Sequence, residues 1–431
     1  MKELCYRDAD FAAQLQTLYR RPSYPAEIER SVRDIIEEVR RNGDDALARY
    51  AREFDHAELA PEQFRVSDAE IAEAAKAVTP AMRKAIQTAL KHVQGFARKR
   101  IPKAWHYTPR AGVRLGERFV PMDRVGVYIP GGTAPLVSTV IHTAGIAAAA
   151  GVREIAAVTP PGKDGKVHPA VLYAMKKAGV TEIYRLGGVY GIAALAYGTA
   201  TVPKVEKIVG PGNAYVTAAK KLVYGAVALD MVAGPSEIMV IADDSADPEF
   251  VAADMLSQAE HGSGLEQAVL VTCDPKLGAR VKAAIARRKA ELPRLATVEK
   301  VLDKGTFLIT VKDLVEAAEI AGRYAPEHLE LCCREPRKLA KSIKAAGAIF
   351  LGHWTPEPIG DFCAGPSHVL PTAGSARFFT GLTVEGFFRR MSTVEYTEKA
   401  IQKEIAVAEK FAEMEGLLAH GLSAGVRRTR Q

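Results

Sequence analysis

Apolar residues recur at helical spacing from Pro25 to Tyr50, where Ile28, Val32, Ile35, Ile36 and Val39 are interleaved with charged groups. The pattern returns from Ser67 to Arg98, with Ser67 and Asp68 placed as N-caps ahead of Ile71 and Ala74. Both stretches predict helices, a packed layer near the N-terminus. From Arg124 the period changes. Val125-Gly126-Val127-Tyr128-Ile129 reads as a strand stopped by Pro130-Gly131-Gly132. Strands over Glu154 to Thr159, Glu182 to Leu186 and Lys207 to Val209 then alternate with helices over His168 to Ala178, around Ile192 to Tyr197, and up to Val223. A second round follows Pro235. Its strands run over Glu237 to Ala242, Ala268 to Thr272, Thr306 to Val311, His328 to Cys332 and Ala348 to Leu351. Its helices run over Asp247 to Glu260, Pro275 to Ala290, Val311 to Tyr324 and Glu335 to Ala345. Two rounds of alternation predict an α/β chain with two parallel-sheet units in tandem. Past Pro371 the chain turns rich in glycine and phenylalanine, then ends in a helix from Tyr396 to His420. Such an arm packs on another domain or on another subunit.

Composition narrows the class. The 431 residues are 48% hydrophobic and 25% charged, which excludes a disordered, collagen-like or fibrous chain. At ~150 residues per domain this length suggests three domains, or two with extensions. The net charge of +7 is modest and dispersed, which argues against nucleic acid. No apolar run reaches the ~18 residues of a membrane helix. The start, Met1 to Asp8, carries two acids and no apolar core, unlike a secretory signal. Five cysteines without a CxxC pair point to a reducing compartment, so a cytoplasmic location is expected.

Three clusters can carry chemistry. Glycine-rich turns between strand and helix, at Pro130-Gly131-Gly132, Gly187-Gly188-Val189-Tyr190-Gly191 and Gly210-Pro211-Gly212-Asn213, offer free backbone N–H groups and helix dipoles to a phosphate or dinucleotide. Each taken alone also serves as a plain tight turn. Gln258 and His261, three apart, share a helix face and can meet one metal ion, although a histidine at a helix end also serves as a dipole cap. Asp361, in Pro358-Ile359-Gly360-Asp361, and Glu415 and His420 in the last helix are candidate companions. Glu415 and His420 are five apart and share no face at ~100° per residue unless Gly416 bends the helix. Glu327 and His328, presented by Pro326, can supply two proton-transfer groups, or simply form a polar turn. Cys332, Cys333 and Cys363 lie near these residues, but their apolar neighbours favour packing.

At these segments the chain resembles the histidinol dehydrogenase family over nearly its full length. The matching runs are Val127 through Gly132, Gly210 through Asn213, Val232 through Glu237, Leu256 through Gly262, Ala325 through Leu331, Gly360-Asp361 and Gly365 through Thr372. The resemblance implies two Rossmann-like parallel-sheet domains in tandem, with a helical N-terminal segment and a C-terminal helical arm. The corresponding division is an N-terminal extension over 1–24, a first domain over 25–123 and 235–375 with the zinc and catalytic motifs, a second over 124–234 with the dinucleotide turns, and the arm over 376–431. It implies a homodimer whose arm completes the partner's site, one zinc ion per subunit, and NAD used twice to take L-histidinol through L-histidinaldehyde to L-histidine. By position, Gln258, His261 and Asp361 look like zinc ligands from one subunit and His420 like one from the other. Ser236, His328, His368 and Glu415 fall on substrate positions, and the zinc ligands adjoin the substrate too. Tyr128, Tyr190 and Asn213 fall on cofactor positions. Glu327 and His328 take the roles of water activation and proton transfer.

The chain departs from the family pattern at Tyr190, where glutamine is usual, and at Phe362 and Ser367, where tyrosine and asparagine are commoner. A dehydrogenase of the same family acting on another small polar alcohol, such as a sulfonated diol, is the alternative reading. A zinc hydrolase with Glu327 as base, and an idle binding protein, are rivals of other classes. The glycine-rich turns count against the first and the complete ligand set against the second.

Overall fold

The computed structural model describes residues 1–21, 27–131, 135–261 and 263–429. The expected helix start at Pro25, the turn residue Gly132, and Gly262 lie outside them. The chain is a mixed α/β structure built on two parallel sheets. The larger has six strands in the order Lys2–Cys5, Thr306–Thr310, Gln267–Thr272, Glu237–Ala242, His328–Cys332, Ala348–Leu351, every neighbouring pair parallel. The smaller has five, in the order Glu182–Tyr184, Glu154–Val158, Arg124–Tyr128, Lys207–Val209, Ala228–Leu229, again all parallel.

Strands covered on both faces read as continuous apolar runs. Every residue of Glu237–Ala242 and of Gln267–Thr272 is buried. Alternate side chains feed opposite cores. Ile238, Val240 and Leu270 pack with Val251, Met255 and Val281 of the helices Pro248–Ala259 and Pro275–Arg288. Met239, Ile241 and Val269 pack with Ala317, Ile320 and Tyr324 of the helix Leu314–Tyr324.

The helical layer packs differently from the expected division. Val32, Ile36 and Val39 of Glu27–Asp55 share a core with Ile192 and Leu195, and Ile86, Leu90 and Val93 of Pro80–Arg98 share one with Val140 and Ala144. These helices therefore cover both faces of the five-stranded sheet, instead of belonging with 235–375. An amphipathic stripe fixes which face is buried but not against what. The first residues join the other unit: Lys2–Cys5 forms the edge of the six-stranded sheet, and Leu18 of Phe11–Tyr19 is buried beside it.

Other differences follow local chemistry. The helix expected over 67–98 is two helices, Asp68–Lys76 and Pro80–Arg98, because Pro80 starts a new helix that Thr79 caps through the Met82 N–H. Trp105–Arg110, Val113–Pro121 and Phe388–Tyr396 form an unexpected antiparallel sheet. The helix expected over 396–420 follows that last strand as three shorter ones, Glu398–Ile401, Ile405–Glu415 and Leu418–Gly425. Gly416, at φ +70°, breaks it. Leu295–Lys304 is a helix not foreseen, and the helix expected over 335–345 shrinks to Pro336–Leu339 and a single further turn.

Candidate active site

Side chains that can react gather at the amino edge of the six-stranded sheet. His328 opens its strand and is buried there beside Glu237–Ala242. Its Nδ1–H donates to the Glu237 carbonyl at 3.1 Å, which turns Nε2 toward the carboxylates of Asp361 and Glu357. That Nε2 is buried, has no hydrogen-bond partner among the described residues, and lies 3.4 Å from Asp361 Oδ1 and 4.0 Å from Glu357 Oε1. Burial opposes a charge on the ring, but Glu327, Asp361 and Glu357 outweigh it and push the imidazole up to about 10. Glu327, the residue before it, is buried too. Its Oε2 accepts from Ser236 Oγ and from the Glu237 N–H at 2.9 Å, and burial pushes its carboxyl up.

The second group reaches that Nε2 through Asp361 and Glu357. Donor atoms of His261, Glu357 and Asp361 lie within 4.8 Å of one another. Gln258, on the last turn of Pro248–Ala259, is fully buried, and its Oε1 has no partner among the described residues. A buried, unpaired amide oxygen is costly unless something outside the chain meets it. An amide oxygen, an imidazole and two carboxylates form the N/O donor set of a zinc ion. Zinc therefore fits the residues present. Burial and then Asp361 push the Glu357 carboxyl up to about 8. Burial would raise Asp361 as well, but His328 and His368 hold it well below the usual carboxylate range.

Glu357 was not foreseen. It stands four residues before Asp361, a spacing that puts two carboxylates on one side of a helical turn, and this was the available signal. His368 is drawn to the cluster, with its Nε2 buried and unpartnered. Beneath it lies a second unforeseen residue, His142, stacked at 4.4 Å between ring centroids. Glu415 and His420 stay exposed on the C-terminal helices and stand outside this donor cluster.

The five-stranded sheet presents backbone instead. At its carboxyl edge Gly210, at φ +121°, lies so close to the Tyr128 carbonyl that a Cβ would meet the oxygen at 2.3 Å. Asp230 accepts the Gly210 N–H at 2.7 Å, and Lys220 donates to the Gly210 carbonyl at 2.7 Å while pairing with Asp230. Asn213 Oδ1 caps the next helix, accepting from the Tyr215 and Val216 N–H groups. Tyr128 Oη accepts from the Gly188 N–H at 3.3 Å. Tyr190 is buried, its hydroxyl donating to Asp55 and its ring 6.1 Å from that of Tyr50. It forms the floor under the Gly187-Gly188 turn and offers no open ring face. The free thiols of Cys332 and Cys333 are buried, and burial pushes them up, away from thiolate.

Glycine turns at one sheet edge, and a buried acid–base pair beside a zinc-type donor set at the other, define a metal- and dinucleotide-dependent oxidoreductase. A family model described as histidinol dehydrogenase matches residues 18–428. The chain belongs to the histidinol dehydrogenase family, enzymes dependent on NAD and zinc. A histidinol dehydrogenase of Symbiobacterium thermophilum is 45% identical over 408 residues, 95% of this chain and 93% of the relative. One of Gloeobacter violaceus is 47% identical over 399 residues, 93% and 89% of the two chains. The crystal structure of histidinol dehydrogenase from Elizabethkingia anophelis superposes with a TM-score of 0.94 at 36% identity, covering 99% of this chain and 98% of that one. None of these favours another polar alcohol. Among the described residues no helix is long and apolar enough to cross a membrane.

Proposed function

We propose that the chain oxidises L-histidinol to L-histidine through L-histidinaldehyde, using two NAD molecules in turn, with the side chains at the amino edge of the six-stranded sheet as its machinery. The observation that carries this reading is the convergence of three unpartnered buried atoms, His328 Nε2, Gln258 Oε1 and His368 Nε2, beside the donor cluster. Gln258, His261 and Asp361 would hold the zinc, with Glu357 in the same donor cluster. Bound there, zinc supplies positive charge that orients the substrate's amine and imidazole and counters the carboxylates that otherwise keep His328 charged.

His328 Nε2 takes the hydroxyl proton while the carbinol hydride passes to NAD, giving the aldehyde. Glu327 then draws a proton from water as it adds to the aldehyde. The protonated His328 returns its proton to the carbonyl oxygen and is again free to act as base, and Ser236 Oγ holds the Glu327 carboxylate in place. His328 takes the hydrate's proton as the second hydride leaves, and the acid results. An adjacent Glu-His pair suits this two-stage task, because hydration needs a base of its own. Tyr128 and Asn213 bind the dinucleotide at the glycine turns of the smaller sheet. Tyr190 supports the cofactor from beneath through Asp55.

The same reading makes the protein a homodimer of two Rossmann-like units per chain. Glu415 and His420 are exposed beside apolar Phe411, Met414, Leu418 and Leu422, which are exposed too. An apolar face carrying a carboxylate and an imidazole suits docking on a second copy, where His420 of the partner subunit completes the zinc set. Five free cysteines suit a cytoplasmic location. The test is chelation. Removal of metal abolishes NADH formation from L-histidinol and added zinc restores it; activity indifferent to chelation would overturn the metal assignment.

A further inference from the structure

We propose that His142 is a positioning residue that sets the His368 ring against the substrate and ties the dinucleotide-binding half of the molecule to the metal-site loop. The proposal rests on the reading of His368 as a substrate contact.

His142 sits in the helix Val137–Ala150, between Val140, Ile141, Ala144 and Ile146, all buried. A fully buried imidazole in so apolar a stretch is costly, and packing alone would be better met by leucine or methionine. Three contacts join it to the loop that carries Asp361 and His368. The two rings stack at 19° with centroids 4.4 Å apart. The His368 N–H donates to His142 Nδ1 at 3.3 Å. Ser367 Oγ donates to the His142 carbonyl at 3.1 Å. Because Nδ1 accepts, the proton of the neutral ring sits on Nε2, which is buried without a partner.

Burial, then the neighbouring His368, pulls His142 down to about 3, so the ring stays neutral at working pH. Asp361 and the backbone carbonyls of Phe362 and Pro366 act in the opposite direction and are outweighed. A neutral, flat, immobile ring is a suitable bed for a second imidazole. It holds the His368 plane by stacking and its backbone by the accepted N–H, so that His368 Nε2 is delivered in one orientation. The helix bearing His142 packs on the five-stranded sheet, and its partner His368 lies on the loop that carries Asp361.

Three variants separate the contributions: His142→Phe keeps the flat ring and removes the acceptor, His142→Asn keeps an acceptor and removes the ring, and His142→Ala removes both. His142→Ala is expected to raise KM for L-histidinol roughly tenfold, the scale of one aromatic pair. Zinc content and KM for NAD stay unchanged, and His142→Phe recovers most of the loss. A lowered melting temperature with unchanged KM in the variants that fold would overturn the proposal, leaving His142 a packing residue. Nitrogen NMR of the histidine rings reads the same coupling without turnover. The His368 signal is expected to move in His142→Phe and His142→Asn, and a stationary signal overturns the proposal. Failure of the unaltered protein to oxidise histidinol would instead sink the substrate reading, with the NMR result still deciding the coupling.

Discussion

The two sheet edges handle buried polarity in opposite ways. Around the glycine turns of the five-stranded sheet the polar side chains are paired within the chain: Asp230 with Lys220 and the Gly210 N–H, Tyr190 with Asp55, Asn213 with its own helix. At the amino edge of the six-stranded sheet Gln258 Oε1, His328 Nε2 and Glu237 Oε2 are buried and left open. One edge uses its side chains to hold backbone in shape for a ligand. The other holds side chains short of partners, which on the proposed reading metal and substrate supply. Substitutions should accordingly lower stability at the first edge and chemistry at the second.

The largest effect is expected from His328→Asn, which removes the proton acceptor. Its kcat should fall by about 10²–10⁴-fold, with zinc and the melting temperature retained, as steady-state rates and a thermal scan would show. A variant that melted early instead would break the contrast. Asp230→Asn lies on the other side of it. The buried Lys220 loses its counter-charge, at a cost of about 3–5 kcal/mol, so denaturant unfolding should shift strongly and KM for NAD should rise.

A smaller effect separates the edges by pH. In the unfolded chain His142 takes up a proton near 6.5, whereas the folded ring refuses one until about 3. Its contribution to stability is therefore complete above pH 6.5 and is lost as pH falls toward 3, on the order of a few kcal/mol. His142→Phe should flatten the acid side of the stability curve. The smallest change is expected for Tyr190→Phe, which leaves Asp55 without its hydroxyl donor. A loss of about 1–3 kcal/mol with little change in kcat would mark Tyr190 as the floor of the turn, and a large rise in KM for NAD would make it a direct contact.

The strands were legible where both faces are covered, because burial leaves a run such as Ile238 to Ala242 no polar position, and His328–Cys332 stands at its expected bounds; the edge strand Ala348–Leu351 does too, on its apolar run alone, with only Phe350 buried. The antiparallel sheet was not legible. Trp105–Arg110 and Phe388–Tyr396 are largely exposed, and each gains its strand identity by pairing with Val113–Pro121, the latter from far along the chain. The apolar stripe of Glu27–Asp55 showed a buried face without naming the sheet it covers. Of the residues gathered at the amino edge, Gln258, His261, Glu327, His328 and Asp361 stood out in the sequence because motifs carry them. His142 was hidden as one polar residue in an apolar helix, its partner His368 far away in sequence.

The most direct test of the central claim is the number of NADH formed per molecule of limiting L-histidinol by the zinc-loaded protein, followed by nicotinamide absorbance. Two per histidinol, falling toward one with free aldehyde trapped when Glu327 is changed to glutamine, is the predicted result, since that carboxylate serves only the second oxidation. A single NADH from the unaltered protein, or none, would contradict the account.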